Sequence, residues 1–598
     1  MTIRALLVAL TSVSVLALAG PASAQAVAQS PATAAAIDAA AAFKALYEAD
    51  WAWSLQEFGQ VADGEGGFTD ADYLPHVDAE TQARRIVHWR EVMAAMDRIP
   101  LADLSAEDRI NAAVFRTNLE ISLIDGRFRE WEMPFNSDSS FWTYLNARQS
   151  LKTAEDYRRY IGRMRDIPRY FDEQTANMRA GLARGFSVPR ATIEGRDQSI
   201  ASFVTAEPET SAFYTAFKQM PSSIPVAEQA ALRAEGRAAI AQAVTPAYER
   251  LLAFYRDDYV PTTRTTVSAQ DLPDGAAYYE AQIRKYTTLD LTAAQVHQIG
   301  LSEVERIQAE MVQTMRDSGF TGTFPEFLHF LRTDPQFYAK TPDGLLSLSA
   351  WVVKRVDGKL AETIGLLPRR PFTIIPVPEA LAPFYTAGRG GLDSCQMNTY
   401  NLPSRPLYNI PALTLHECSP GHSFQAALAV ERDAGPAFRR YTYFSGYGEG
   451  WGLYTEWLGV GMGIYRTPYE NFGRLSYEMW RAARLVIDTG LHAQGWSRQQ
   501  AIDYLAEHTA LSQHEVESEV DRYISWPGQA LAYKLGEMTI RRSRVKAEQA
   551  LGSRFDQRRF HDVILALGSV PLPVLEARID QFIIDENRRV GGAAAPSS

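Results

Sequence analysis

The chain has 598 residues, of which 46% are hydrophobic and 22% charged, enough to bury a large core and too apolar for a mostly disordered polymer. Sixty basic residues stand against 71 acidic ones, a net charge of −11 that excludes a general nucleic-acid binder, because phosphate neutralisation needs a basic face. With only Cys395 and Cys418, a disulfide framework is excluded and one bridge is left open.

Residues 1–24 read as a cleavable export signal: Arg4, the apolar run Ala5 to Ala19, Gly20-Pro21, then Ala22-Ser23-Ala24. The run is about 15 residues, short of the roughly 20 that a spanning helix needs. Cleavage is expected after Ala24, and no cysteine follows the run to carry a lipid. No later stretch approaches about 18 uninterrupted apolar residues, so the mature chain is expected to be soluble and periplasmic or secreted. Residues 25–42 are Ala-rich and read as a flexible lead-in, 43–589 as a single helical catalytic domain, and 590–598 as a disordered tail.

Between these ends helical patterning dominates. Apolar residues recur at spacings of three and four over Ala230 to Tyr255 and over Leu291 to Met315, where Thr292 is the expected cap. Leu475 to His492 and Ser497 to Ala510 predict two further helices joined through Gly495. Strand text is confined to Pro371 to Val377 and Ser394 to Leu402, and the second could pair with an extended peptide. The expectation is a mainly α fold, large and two-lobed, with a small β-sheet near the active site.

Chemistry concentrates between residues 390 and 530. Leu413 to Gln425 contains His416, Glu417 and His422. In the common zinc-peptidase motif two histidines at i and i+4 share a helix face, with a glutamate as general base beside the first. Here the spacing is i and i+6, which on a straight helix sets the imidazoles about 240° apart. Pro420-Gly421 removes that objection: Pro420 cannot donate to the carbonyl of His416 and its ring crowds it, so the helix must bulge or break and can return His422 to the face of His416. A chance His-Glu pair before a helix end would read the same way.

Gly446 to Glu456 then places four glycines around Glu449, a pattern suited to close approach of another backbone. Two histidines and a downstream glutamate leave a fourth zinc position for water, which points to Glu449 as third ligand, with Glu431 a weaker rival. Glu456, seven residues on, shares its face and is the expected partner of a ligand histidine. Both glutamates could equally be solvated helix residues.

The segments His416-Glu417-x-x-Pro420-Gly421-His422, Glu449-Gly450-Trp451-x-x-Tyr454-x-Glu456, Asp488-Thr489-Gly490-Leu491-His492 and Trp526-Pro527-Gly528-Gln529-Ala530-x-x-Tyr533 resemble the bacterial "domain of unknown function 885" family. Val296-His297-Gln298-x-Gly300-Leu301 and Asn398-Thr399-Tyr400 are similar to it too. That family resembles the helical zinc peptidases of the angiotensin-converting-enzyme and carboxypeptidase Taq type. The resemblance implies a mainly helical, metallopeptidase-like fold with a deep cleft, and peptide hydrolysis.

The resulting expectation is one zinc ion held by His416, His422 and Glu449, with Glu417 moving the water's proton to the leaving amine. His492 and Tyr523 are the candidate donors to the tetrahedral oxyanion, as the resemblance implies for a downstream histidine and tyrosine. Arg481, Arg484 and Lys534 are candidates for a substrate carboxylate. The partner is a peptide or small amide. Two other classes stay open: a metal-dependent amidase acting on a non-peptide or cell-wall substrate, and a catalytically degenerate periplasmic binding protein. Glu417 argues against the second, because a structural site needs no base.

Overall fold

The computed structural model describes residues 31–63, 67–147, 151–379, 382–431 and 435–593, so the signal segment lies outside the described residues. The fold is mainly α, about 70% helical. A helix starts at Pro31 and runs to Glu57. Ala39 on it is 4% exposed and Phe43 one turn later 1%, with the Phe43 ring edge-on to Phe115 at 6.2 Å. The lead-in expected over 25–42 is therefore shorter, because apolar side chains at helical spacing find a core. The final helix runs Leu572–Ala593 and so takes in 590–593 of the expected tail; the rest of that tail lies outside the described residues.

The helix expected over 230–255 begins at Val226 and continues through two wide turns, Ile240–Val244 and Phe254–Tyr259. Pro246 and Pro261 lie just beyond these turns; each lacks an N–H and crowds the turn before it, which the column absorbs by widening. Helix Ala293–Asp317 starts as expected at Thr292, whose side chain accepts from Gln295 in a capping box. The two helices joined through Gly495 are Pro468–Ala493 and Arg498–His508.

Five short strands occur among the described residues. β1 (Gln60–Ala62) and β2 (Phe68–Asp70) form a hairpin; β3 (Thr373–Pro376), β4 (Gly388–Gly390) and β5 (Ser394–Met397) form a sheet in the order β3-β5-β4. β5 runs parallel to β3, pairing Cys395 with Ile374, and antiparallel to β4, pairing Cys395 with Gly390. β5 is thus flanked on both edges and cannot accept a peptide as an added strand. It also stops at Met397, because Asn398 turns its side-chain amide onto the carbonyls of Ala382, Tyr385 and Thr386.

One hydrophobic core gathers side chains from Leu74 to Tyr259; the others surround helices of the C-terminal half. The glycine-rich helix Ser445–Gly461 crosses helix Ala532–Leu551 almost backbone to backbone: a Cβ on Gly450 would lie 2.6 Å from Cα of Gly536. No helix of the described residues is long and apolar enough to cross a membrane.

Candidate metal centre

Helix Ile410–Glu417 ends where the chain leaves helical space at Cys418 (φ −101°, ψ −91°), and a new helix begins at His422. The sequence motif is therefore split by a complete break. Its carbonyls are used: Phe424 N–H donates to Cys418 O at 3.1 Å and Trp451 Nε1 to Pro420 O at 2.8 Å. The break brings the two imidazoles together, with ring centres 4.8 Å apart and planes at 84°.

The glycine-rich helix supplies the third group. Glu449 Oε2 lies 3.4 Å from His416 Nε2 and 3.1 Å from His422 Nε2. One turn on, Gly452 faces the His416 ring; a Cβ there would stand 2.8 Å from Nε2. One further turn on, Glu456 Oε1 accepts from His416 Nδ1 at 2.7 Å. Positions 449, 452 and 456 thus form one helix face that offers a carboxylate, clears the ring and fixes its tautomer. Glu431, the rival ligand, instead accepts from the backbone N–H groups of Arg369 and Arg370.

Electrostatics hold the cluster together. Burial pulls the His416 pKa down, but its hydrogen bonds to Glu449 and Glu456 win and push it up to about 9. Burial raises the Glu449 carboxyl, and His422 and His416 overcome this to hold it well below the usual range. The donor set fits zinc. Ligands about 2.05 Å from a tetrahedral ion stand ~3.3 Å apart, close to the two separations found here. With Nδ1 of His416 committed to Glu456, Nε2 is the nitrogen left to face that point, where a metal ion would take the place of its proton.

Glu417 ends the first ligand helix, and its Oε2 accepts from Gly390 N–H of β4 at 2.7 Å. The small sheet is therefore beside the site, as expected. Three groups carry no role in the sequence reading. Gly390 acts through its backbone, which leaves no side-chain signature. Tyr443, 55% exposed, donates its hydroxyl to Glu449 Oε1 at 3.1 Å, and nothing distinguishes it in sequence from Tyr441 or Tyr447. Tyr533 stacks on His416 at 6.2 Å, and its hydroxyl accepts from Arg522 at 3.1 Å; its place in the motif carrying Trp526 was the available signal.

The family model for a bacterial protein of unknown function, DUF885, matches residues 60–579. The chain belongs to the DUF885 family. No curated protein matches it. Among solved structures, the "putative lipoprotein" from Colwellia psychrerythraea is 25% identical with a TM-score of 0.81, covering 93% of this chain and 99% of its own. A protein of unknown function from Shewanella oneidensis, also described as a "putative lipoprotein", is 17% identical with a TM-score of 0.65, covering 90% and 98%, and shares the fold. The M32 carboxypeptidase of Deinococcus radiodurans R1, 14% identical over 86% of this chain and all of its own, has a TM-score of 0.30, too low to carry an argument.

Several of the DUF885 motif residues turn out to be architectural. Asp488 accepts from the Tyr279 hydroxyl at 2.6 Å and from Gly528 N–H at 3.1 Å, so two motifs meet in one buried contact. His297 Nδ1 pairs with Thr489 Oγ1.

The expected oxyanion donors are not at the centre. His492 is wholly buried; its Nδ1 accepts from Ala269 N–H and its Nε2 donates to the Tyr523 carbonyl, both at 2.9 Å. The Tyr523 hydroxyl accepts from Trp480 Nε1 and Arg484 Nε, also in the core.

The expected carboxylate binders fail for the same reason. Arg484 pairs with Glu519 at 2.8 Å. Lys534, 0% exposed, is held by Glu478, Glu537 and Glu303. Arg481 lies over Trp480 and 3.7 Å from Glu456, behind the site. All three cations are at most 3% exposed and face a protein carboxylate, which places them poorly for a substrate. The described residues bring one more such group together, His76, Asp78 and Glu173, but the Arg169 guanidinium lies against both His76 and Glu173 and opposes a metal ion there.

Proposed function

We propose that this DUF885 chain is an exported, zinc-dependent hydrolase that cleaves amide bonds in short peptides. The observation that carries the reading is the convergence of His416, His422 and Glu449 on one point, with Glu417 next in the chain to His416 and its charge acting on that ring. When bound, zinc supplies Lewis acidity and lowers the pKa of a coordinated water to ~7.

The chain's own residues do the rest. Glu417 Oε2 is held by Gly390, which leaves Oε1 to take the water's proton and deliver it to the leaving amine. Tyr443, whose phenol is protonated at neutral pH, offers its O–H to the developing oxyanion in place of His492 and Tyr523. Glu456 keeps the Nδ1–H of His416 engaged, so that Nε2 stays a ligand. A degenerate binding protein would not need the anchored Glu417.

Export is supported by residues 1–24, by the disulfide described below, which a reducing cytosol disfavours, and by the lipoprotein descriptions of the two similar structures. The test is metal analysis of the purified protein and a digest of defined peptides with mass readout. One zinc per chain, lost in His422→Ala together with peptide cleavage, is the expected result. Absence of zinc-dependent cleavage across the peptide set removes the peptidase reading, and cleavage confined to non-peptide amides replaces it with the amidase.

A further inference from the structure

Cys395 and Cys418, the chain's only cysteines, form a buried disulfide with Cα atoms 5.4 Å apart. Its position is specific. Cys418 directly follows Glu417, at the residue where the first ligand helix ends. Cys395 sits in the middle strand, opposite Gly390 in the β4–β5 register. Gly390 in turn donates to Glu417 Oε2.

These contacts close a ring: from Glu417 along the backbone to Cys418, across the sulfurs to Cys395, over the strand pair to Gly390, and back to the Glu417 carboxylate by a hydrogen bond. A second contact from the same turn, Gly391 N–H to Ser423 Oγ at 3.1 Å, ties the sheet to the other ligand helix. The fit has no slack, because a Cβ on Gly390 would lie 2.1 Å from the Glu417 carbonyl oxygen and 2.5 Å from Cβ of His422. Glu417 itself is the last residue of a helix that breaks off after it.

We propose that the Cys395–Cys418 disulfide is a positioning device for the base Glu417: it clamps the sheet against the broken helix so that Gly390 N–H holds one carboxylate oxygen and aims the other. The metal ligands themselves are held from the far side, by the glycine-rich helix through Glu449, Gly452 and Glu456. Losing the clamp therefore costs aim rather than metal. The inference rests on the proposed role of Glu417, and its test separates the two.

The intact protein is reduced with a phosphine in zinc-containing buffer, with thiols counted by mass spectrometry, and Cys395→Ala/Cys418→Ala is made in parallel. The expected result is unchanged zinc stoichiometry, a kcat at least tenfold lower, a KM within threefold of the oxidised protein, and faster hydrogen exchange at the Gly390 amide. The same reduction applied to Glu417→Gln should leave its residual turnover unchanged. A purely stabilising crosslink would depress both backgrounds alike, which overturns the proposal, as does full activity or unchanged Gly390 exchange in the reduced protein. If the double variant does not fold, the reduced wild-type protein decides alone. If Glu417→Gln itself turns over at the wild-type rate, the base assignment fails; Gly390 exchange still reports whether the clamp holds the strand.

Discussion

His416 Nδ1 and Glu456 Oε1 lie 2.7 Å apart with both side chains 1% exposed, an ion-pair-grade contact forty residues apart in sequence. Arg481, 3.7 Å from the same oxygen, adds positive charge behind it. Partners of this kind typically contribute 10–100-fold to metal affinity. Glu456→Gln is expected to weaken zinc binding by about tenfold in chelator competition while the helical signal stays intact. Unchanged affinity would remove Glu456 from the metal centre.

Glu417→Gln keeps the size and the acceptor facing Gly390 but cannot take a proton. It should bind one zinc per chain and lose ~10²–10⁴ in turnover, the usual contribution of a general base. Wild-type cleavage by this variant would end its assigned role.

Tyr443→Phe removes a hydroxyl that donates to Glu449. If that hydroxyl stabilises the oxyanion, kcat should fall by ~10²-fold with KM and zinc content nearly unchanged. A rise in KM alone would make Tyr443 a substrate-binding residue instead. Tyr523→Phe should by contrast act on stability, since its hydroxyl serves Trp480 and Arg484 in the core.

Lys534→Met tests the buried ion cluster. The substitution strands Glu478, Glu537 and Glu303 without their shared cation. Removing one partner of a buried charge group costs about 3–5 kcal/mol, so urea unfolding should show a loss of that order. A stable variant with raised KM would restore Lys534 to the substrate-binding role that its burial denies it.

The buried imidazole of His492 predicts an acid limb of stability. Burial depresses its pKa from 6.5 to about 3. Above pH 6.5 folded and unfolded chains both hold it neutral, and its contribution is complete. Below pH 6.5 the unfolded chain takes up a proton that the folded chain refuses, so stability is lost as the pH falls toward 3. His561, depressed to about 4, acts in the same direction. Asp488, raised by burial to about 7, acts oppositely over the same range. The difference between wild type and His492→Gln isolates the one group: the gap in unfolding free energy should narrow by about 2 kcal/mol between pH 7 and pH 5. A constant gap would mean that His492 is not held neutral.

That His416, His422 and Glu449 meet in the fold was legible in sequence because each step was local. A proline four residues after a helical carbonyl removes that hydrogen bond and crowds the carbonyl, so the run from His416 cannot continue undisturbed, and a glutamate seven residues before another shares its helix face. The cap at Thr292 was legible for the same reason. His492 and Tyr523 were misplaced because residue type and order cannot say on which side of a buried helix a side chain lies. Pro468–Ala493 is buried on nearly every side from Phe472 onward, so its polar residues serve the core. The lead-in differs for another reason: Ala-rich text carries no tertiary information, and Ala39 is buried in a core shared with residues far along the chain.

Sequence by itself determined the helical class, the break between the two histidines and the residue types able to hold a metal, because these follow from backbone sterics and from periodicity within a few residues. The tertiary structure alone decided that Gly390 holds Glu417, that Tyr443 reaches Glu449, that the two cysteines are joined, and that Arg484 and Lys534 are paired in the core. Each of those contacts joins groups whose meeting depends on how whole helices pack, and packing is a property of the assembled core rather than of any short stretch of chain.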